Sequence, residues 1–264
     1  MNTPGMDLGI AGRKAIVCAS SRGLGRACAE ALARAGCEVV VNGRHQPAVD
    51  ATVRDLVART GARVTGVVAD VADPRGQALL LAACPEPDIL INNNAGPPLA
   101  DFRSLTRQQM LDGVVANMVV AIELTQKVLD PMVRRRFGRI VNITSGTVKM
   151  PLAGLDLSSG ARAGLTAFLA GIARTVAASN VTINFILPGA FDTDRLRSSL
   201  EATAKKQQLE YDAVAAQRQG TIPARRFGDP QEIGALCAFL SSAHAGFMTG
   251  QSLLIDGGAY PGTF

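Results

Sequence analysis

Seven short runs of β-branched and aliphatic residues alternate with longer helical stretches along this chain of 264 residues. Runs that are apolar throughout and separated by helices are typical of a parallel sheet covered on both faces. The pattern therefore predicts an α/β fold of the Rossmann type, a doubly wound three-layer αβα domain with strand order 3-2-1-4-5-6-7. The predicted strands are 15–19, 39–41, 64–68, 89–91, 140–143, 182–187 and 253–255, and the helices include 24–35, 48–59, 107–136, 161–178 and 230–241.

The chain shows no internal repeat and no linker rich in Pro, Gly or Ser, so we expect one domain over 1–264. Residues 1–12 are polar and Gly-rich, which predicts a loose N-terminal tail. The polar segment 190–226 lies between the last two strands and has a helical pattern over 195–217. Such an insertion is typical of a lid over a substrate pocket.

Composition excludes several classes of protein. The chain is 47% apolar and 19% charged, so it is globular rather than disordered. Its net charge is +5, and its one dense cluster of basic residues is 134–136. This cluster lies at the predicted C-terminal end of a helix, where cations are favoured. No basic stripe interleaved with aromatics indicates nucleic-acid binding. Five cysteines without metal-ligand spacing, no signal peptide and no membrane-spanning run predict no metal site, no membrane partner and a cytoplasmic location.

A glycine-containing turn follows the first predicted strand. The strand runs into Ser20-Ser21-Arg22-Gly23-Leu24-Gly25 and then into a helix. Glycines let the backbone approach a diphosphate closely, and the N–H groups at the start of the helix bind the anion. The strand–turn–helix context predicts a dinucleotide site here.

With this turn and several later motifs, the chain resembles the short-chain dehydrogenase/reductase family, in particular its 3-oxoacyl-acyl carrier protein reductases. The family's turn begins Thr-Gly, where this chain has Cys18-Ala19. The later motifs are Asp70-Val71, the triplet Asn92-Asn93-Asn94 before Ala95-Gly96, Asn117, Pro188-Gly189 with Thr193, Arg226-Phe227-Gly228 and Asp256-Gly257-Gly258. Three asparagines stand where the family has two, so the register of that motif is open by one residue.

The resemblance implies a nicotinamide cofactor and a set of residues that bind it. They are Ser20, Ser21, Arg22, Gly23, Leu24, Gly25, Arg44, Asp70, Val71, Asn93, Arg162, Pro188, Gly189 and Thr193. An acid at the end of the second strand would bind the ribose diol of NAD(H), but the residues there are Asn42-Gly43-Arg44. Arg22 and Arg44 are suited to a 2′-phosphate, which favours NADP(H) over NAD(H).

The resemblance also implies a catalytic set of four residues. Ser145 occupies the position of the serine that polarises the carbonyl, and Asn117 that of the asparagine that positions a water. Thirteen residues after Ser145 the family has Tyr-x-x-x-Lys, and this chain has Ser158 and Arg162. Ser158 is too short and too weakly acidic to replace the phenol, although it can hold a water. Arg162 keeps the positive charge and can bind ribose hydroxyls, but it cannot join a proton relay as lysine can.

Other residues are candidates for the missing acid. Lys149 and Asp156 follow the fifth predicted strand, and Tyr211 lies in the 190–226 segment. Ordinary structural roles are favoured for each of them, a helix cap in the case of Asp156. His244 is expected at the surface.

Three functions fit these observations. The first is an NADP(H)-dependent oxidoreductase with an altered acid, acting on a small ketone or aldehyde or the corresponding alcohol. The second is an NADP(H)-binding protein with little turnover, acting as a sensor or structural subunit. The third is a non-redox lyase. The resemblance further implies a homodimer or homotetramer, formed through the helices at 107–136 and after Ser158 and through residues 253–260.

Overall fold

The computed structural model describes residues 6–263. Seven parallel strands form one sheet in the order β3-β2-β1-β4-β5-β6-β7, as predicted. The strands are β1 Lys14–Val17, β2 Glu38–Gly43, β3 Val64–Val68, β4 Ile89–Asn92, β5 Gly138–Ile143, β6 Val181–Pro188 and β7 Ser252–Ile255. Because β1 lies between β2 and β4, the chain reverses its direction of winding at the β1–β4 boundary. Such a boundary opens a crevice at the carboxyl ends of the strands.

Helices cover both faces of the sheet. They are α1 Gly23–Arg34, α2 Gln46–Thr60, α3 Pro74–Ala83, α4 Arg107–Val114, α5 Val120–Arg135, α6 Asp156–Val176, α7 Asp194–Gln207, α8 Tyr211–Gly220 and α9 Pro230–Ser241. Alternate strand residues point to opposite faces. On one face Val17 and Ile91 pack with α1 and α9, and on the other Ile16 and Leu90 pack with α3, α5 and α6.

Two predicted helices have different bounds in the structure. The helix predicted over 107–136 is interrupted by a π-helical turn, Val115–Val119, between α4 and α5. The helix predicted over 161–178 begins five residues earlier, at Asp156, whose carboxylate accepts a hydrogen bond from the Gly154 N–H.

The helical pattern over 195–217 corresponds to two helices, α7 and α8, rather than to one continuous helix. Helix α7 ends at Gln207, and Gln208 adopts a left-handed conformation with φ of 55°. Its N–H and that of Leu209 both donate to the carbonyl of Ala204, which closes the helix before α8 begins. Leu200, Ala204 and Val214 then form a small core between the two helices.

The loose tail predicted over 1–12 is wrong for residues 8–12, while residues 1–5 lie outside the described part of the chain. Ile10 is 1% exposed and belongs to the core beside α1. The Gly12 N–H donates to the Gly36 carbonyl, and the Leu8 carbonyl accepts from Ala243. Burial of one isoleucine and backbone pairing at both ends hold this stretch in place.

Candidate functional site

The turn between β1 and α1 is shaped for close approach of a ligand to its backbone. Gly23 has φ of 57°, and a Cβ on Gly25 would collide with the Ala19 carbonyl oxygen. Arg22 is the N-cap residue of α1, but its side chain makes no capping hydrogen bond, and the first turn holds no acid. The N–H groups at the start of α1 are therefore available to an anion, which fits a dinucleotide diphosphate.

Ser20 and Ser21 shape this turn through protein contacts. The Ser20 hydroxyl donates to the Val17 carbonyl at 2.6 Å and accepts from the Asn42 N–H at 2.9 Å, and Ser20 is fully buried. The Ser21 hydroxyl lies 2.6 Å from where a Cβ of Gly43 would be, so Gly43 makes room for it. The Ser20 side chain is thus a brace between β1 and β2 rather than a free ligand group.

Asn42 is a structural residue that the sequence analysis did not identify. Its Oδ1 accepts from the Ala19 N–H at 3.0 Å, and its Nδ2 donates to the carbonyls of Val67 and Ala69. Ala19, which replaces the family's first glycine, has φ of 45°. A left-handed alanine is strained, and the Asn42 hydrogen bond helps to hold it.

Cationic side chains lie beside the turn at the end of β2. Arg22 and Arg44 are both exposed, and within residues 6–263 the Arg22 side chain forms no hydrogen bond or ion pair. Arg44 lies 3.8 Å from the carboxylate of Asp70, with both side chains about half exposed. Val71 is buried and belongs to the core on the face of the sheet covered by α3, α5 and α6. Two solvated cations at this position fit a 2′-phosphate.

The asparagine triplet divides into one strand residue and two loop residues. Asn92 ends β4, pairs with Asn142 of β5 and donates to its side chain at 2.9 Å. Asn93 donates to the Ala19 carbonyl at 3.2 Å, so it contacts the cofactor turn, and Asn94 donates to the Ala116 carbonyl at 3.0 Å. These contacts support Asn93 as the residue beside the cofactor turn.

Asn117 lies in the π-helical turn between α4 and α5. Its Nδ2 donates to the Gly113 carbonyl at 3.3 Å, while its Oδ1 is buried without a hydrogen-bond partner in the described chain, as is the Oδ1 of Asn92. Both residues line a cavity of about 20 Å³ that also contacts Arg162. This volume and these acceptors suit one water molecule. π-helical turns are frequent at functional sites because they redirect one side chain.

Ser145 follows β5 at the carboxyl edge of the sheet. Its Oγ accepts two hydrogen bonds from Thr147, one from the N–H at 3.2 Å and one from the hydroxyl at 3.0 Å. The hydrogen of the Ser145 hydroxyl is then free to be donated to a ligand oxygen. Thr147 is another residue that the sequence analysis missed; its only signal was a second hydroxyl two residues after Ser145.

Ser158 and Arg162 are one turn apart on α6, and both are buried. The Arg162 guanidinium donates to the carbonyls of Ile143, Thr144 and Asn94 at 2.9–3.3 Å, and its Nε donates to the Ser158 hydroxyl at 3.2 Å. Burial lowers the Arg162 pKa to about 10, so the group stays charged at neutral pH. Its expected role as a ribose ligand stays a prediction, because these contacts are all with protein atoms.

The loop after β6 lies across the same edge of the sheet. Gly189 donates to the Ile255 carbonyl at 2.9 Å, and a Cβ on Gly189 would lie 2.7 Å from the Cβ of Asp256. Thr193 is the N-cap residue of α7, and its methyl group lies 3.8 Å from where a Cβ of Gly23 would be. Pro188 is buried at the end of β6. The start of the 190–226 segment thus covers the turn after β1.

The alternative acids have other contacts. Lys149 lies over the ring of Tyr260, with its Nζ 5.8 Å from the ring centroid. Tyr211 begins α8 and is 36% exposed. His244 contacts the Asp7 carbonyl at 2.7 Å through Nε2 and is exposed, as expected. In the described chain no hydrogen bond joins any of them to Ser145.

Comparison with known proteins agrees with the geometry. A family profile described as "Enoyl-(Acyl carrier protein) reductase" matches residues 18–260. The chain is 30% identical to the NADPH-dependent reductase BacG of Bacillus subtilis, over 94% of this chain and 97% of BacG. It is 32% identical to the 3-oxoacyl-[acyl-carrier-protein] reductase FabG of Escherichia coli, over 94% and 98% respectively.

A solved structure shares the whole fold. L-sorbose reductase from Gluconobacter frateurii, complexed with NADPH and L-sorbose, superposes with a TM-score of 0.92. The two chains are 26% identical, and the match covers 97% of this chain and all of the reductase. Within residues 6–263 no helix is both long and apolar enough to cross a bilayer. With the profile covering nearly the whole chain and relatives of 30% and 32% identity, the protein belongs to the short-chain dehydrogenase/reductase family.

Proposed function

We propose that the protein is an NADP(H)-dependent oxidoreductase that reduces a small ketone or aldehyde, or oxidises the alcohol, with Ser145 as the residue that contacts the reacting oxygen. The observation that carries this proposal is the pair of hydrogen bonds from Thr147 to the Ser145 Oγ. With both bonds accepted, the hydrogen of the Ser145 hydroxyl remains available for donation to a carbonyl oxygen of the substrate.

The cofactor assignment is supported by the turn and by the relatives. The Gly23–Gly25 turn and the first N–H groups of α1 would hold the diphosphate, and Arg22 and Arg44 would hold the 2′-phosphate. BacG is named an NADPH-dependent reductase, and the L-sorbose reductase was solved with NADPH. When bound, NADPH supplies the hydride.

Ser145 would also be the immediate proton donor. A serine hydroxyl is a weak acid, but the alkoxide formed by reduction of a ketone is about as basic as a serine alkoxide, so the transfer between them is nearly balanced in energy. Thr147 would then return a proton to Ser145 along their 3.0 Å hydrogen bond and take one from a water molecule, so that the proton consumed by the reduction comes from solvent. This route needs no phenol at position 158.

Arg162 acts on Ser145 as a positioning residue in this scheme. Its guanidinium holds the carbonyl of Thr144, the residue directly before Ser145, at 3.1 Å. It also holds the Asn94 carbonyl in the loop after β4, so it ties two strand ends together. A buried positive charge near the oxygen that becomes negative stabilises that charge.

The remaining assignments are proposals of the same kind. The 190–226 segment would cover the substrate, since its first residues lie over the turn after β1. The protein would act in the cytoplasm, as its sequence composition predicts, and would form a homodimer or homotetramer, as the resemblance implies.

The test compares Ser145→Ala with the wild type. We expect NADPH-dependent reduction across a panel of ketones and aldehydes to fall by about a hundredfold or more, with the NADPH dissociation constant unchanged. Thr147→Val should lower the rate by a smaller factor, and Thr147→Ser, which keeps the hydroxyl, should restore it. Equal turnover by Ser145→Ala and the wild type would overturn the assignment of Ser145.

A second candidate is an NADP(H)-binding protein without turnover. It is favoured by the contacts of Arg162 and Ser158, whose polar groups are bonded to each other and to protein carbonyls. The double variant Ser158→Tyr with Arg162→Lys separates the two functions. If the wild type binds NADPH without oxidising it and the double variant gains reductase activity, the second candidate is correct.

A further inference from the structure

Helix α7 extends one arginine over the crevice between β1 and β4. The Arg195 guanidinium donates to the Pro97 carbonyl at 3.3 Å, in the loop that follows β4. Two of its nitrogens lie 3.1 Å from where a Cβ of Gly96 would be. Gly96 therefore allows the guanidinium to lie directly on this loop, and any larger side chain there would displace it.

Arg195 has no carboxylate partner among the residues that the structure describes, although its neighbour Arg197 does. Arg197 donates to both oxygens of Asp192, at 2.8 and 3.0 Å. Both arginines are exposed and lie in the first turns of α7. The difference between them is one of pairing: the charge of Arg197 is balanced by Asp192, whereas no described carboxylate pairs with Arg195.

Arg195 and the buried Arg162 both donate to carbonyls of the loop after β4, Arg195 to Pro97 and Arg162 to Asn94. Arg195 is close enough to Arg162 that its charge contributes to the lowered pKa of the buried guanidinium. Within residues 6–263 the hydrogen bonds of both guanidinium groups go to carbonyl or hydroxyl oxygens, and neither group forms an ion pair. Like charges in proximity are unfavourable unless an anion lies near them.

The location of Arg195 indicates which anion this is. Thr193, two residues before it, lies on Gly23 in the turn after β1, whereas Arg195 lies on Gly96 in the loop after β4. The two residues thus span the crevice at the point where the winding of the sheet reverses. In this architecture the diphosphate of a dinucleotide lies in that crevice, at the start of α1.

We propose that Arg195 is a ligand of the cofactor's diphosphate and that it closes the start of the 190–226 segment over the bound dinucleotide. The guanidinium would exchange its single hydrogen bond to the Pro97 carbonyl for charge-assisted hydrogen bonds to the diphosphate oxygens. This inference rests on the proposed NADP(H) binding. It assigns Arg195 to the diphosphate, which NADPH and NADH share. It assigns Arg22 and Arg44 to the 2′-phosphate, which only NADPH carries.

The experiment measures dissociation constants of NADPH, NADH and adenosine 2′-monophosphate, which has the 2′-phosphate but neither phosphate of the diphosphate, for the wild type and for Arg195→Gln. We expect Arg195→Gln to weaken NADPH and NADH by a similar factor, about tenfold, and to leave the binding of the monophosphate unchanged. Arg197→Gln is the matched control and should change none of the three. Arg195→Lys should fall between wild type and Arg195→Gln.

Hydrogen exchange provides a readout independent of affinity. Saturating NADPH should slow amide exchange in residues 190–200 of the wild type and of Arg197→Gln, and should do so less in Arg195→Gln. If Arg195→Gln binds both dinucleotides as the wild type does and raises only the KM of a carbonyl substrate, the diphosphate assignment is overturned and Arg195 binds substrate instead. If the wild type itself binds neither dinucleotide, the proposed function fails first.

Discussion

Two regions at the carboxyl edge of the sheet, the turn after β1 and the region after β5, differ in whether their polar groups already have hydrogen-bond partners. At the turn after β1, the N–H groups at the start of α1 and the side chain of Arg22 have no partner in the described chain. After β5, the buried Arg162 is bonded to three carbonyls and to Ser158. The turn after β1, which we call the binding half, leaves hydrogen-bond donors available to a ligand. The region after β5, which we call the catalytic half, uses its buried guanidinium group in hydrogen bonds to the protein itself. We therefore expect that substitutions can disrupt dinucleotide binding and the proposed reduction separately.

The largest loss of cofactor affinity is expected when one carbon is added at Gly25. A Cβ there would meet the Ala19 carbonyl oxygen and lie 2.8 Å from the Asn93 amide. Gly25→Ala should weaken NADPH more than tenfold and lower the free energy of unfolding by about 1–3 kcal/mol. Gly160→Ala is the control: it lies in α6 with nothing within 4 Å of the new carbon, and it should be neutral or stabilising. Unchanged NADPH affinity in Gly25→Ala would refute the assigned role of the turn.

The preference for NADPH should depend on the two cations beside the turn. Replacing both Arg22 and Arg44 with glutamine should weaken NADPH by about tenfold or more and leave NADH within a factor of about two. Arg54→Gln, an exposed arginine of α2, should change neither. Titration of each variant with both dinucleotides measures the effect, and an equal loss for NADPH and NADH would show that these arginines do not recognise the 2′-phosphate.

The pH dependence of reduction distinguishes this catalytic half from one with a phenol acid. Neither hydroxyl of the Ser145–Thr147 pair titrates near neutral pH, so kcat/KM should be flat from about pH 6 to pH 9. Arg162 is charged below its pKa of about 10 and neutral above it, so activity should fall as the pH approaches that value. A profile of initial rates at saturating NADPH measures this, and a midpoint near pH 7 would point to a different acid.

The smallest effect, a change in the free energy of unfolding, is expected from a substitution at Ala19. Its φ of 45° costs an alanine about 1 kcal/mol, and glycine removes that cost while adding some entropy to the unfolded chain. Ala19→Gly should therefore raise the free energy of unfolding by at most about 1 kcal/mol. Ala51→Gly, in the regular backbone of α2, should lower it by about the same amount. Urea unfolding compares the two, and destabilisation by Ala19→Gly would mean that the left-handed alanine is not strained.

Strand order and the position of Ser145 were predictable because buried strands and their polar ends have a strong local pattern. The direction of the Arg162 side chain was not, since a residue one turn after Ser158 can point toward the ligand or toward the carbonyls of β5. The end of α7 at Gln208 was also not predictable from the sequence, because the left-handed conformation that ends a helix is usually adopted by glycine. The packing of Ile10 depended on α1 and α9 meeting beside it, which only the tertiary structure shows.

The most direct test of the central claim follows the hydride itself. NADPH carrying deuterium at the transferred position is incubated with the wild-type protein and a panel of ketones and aldehydes, and the products are examined by mass spectrometry. We predict an alcohol that has gained one deuterium, formed by the wild type and nearly absent with Ser145→Ala, although both bind NADPH equally. Tight NADPH binding by the wild type without deuterium in any product would contradict the claim that this site performs a reduction.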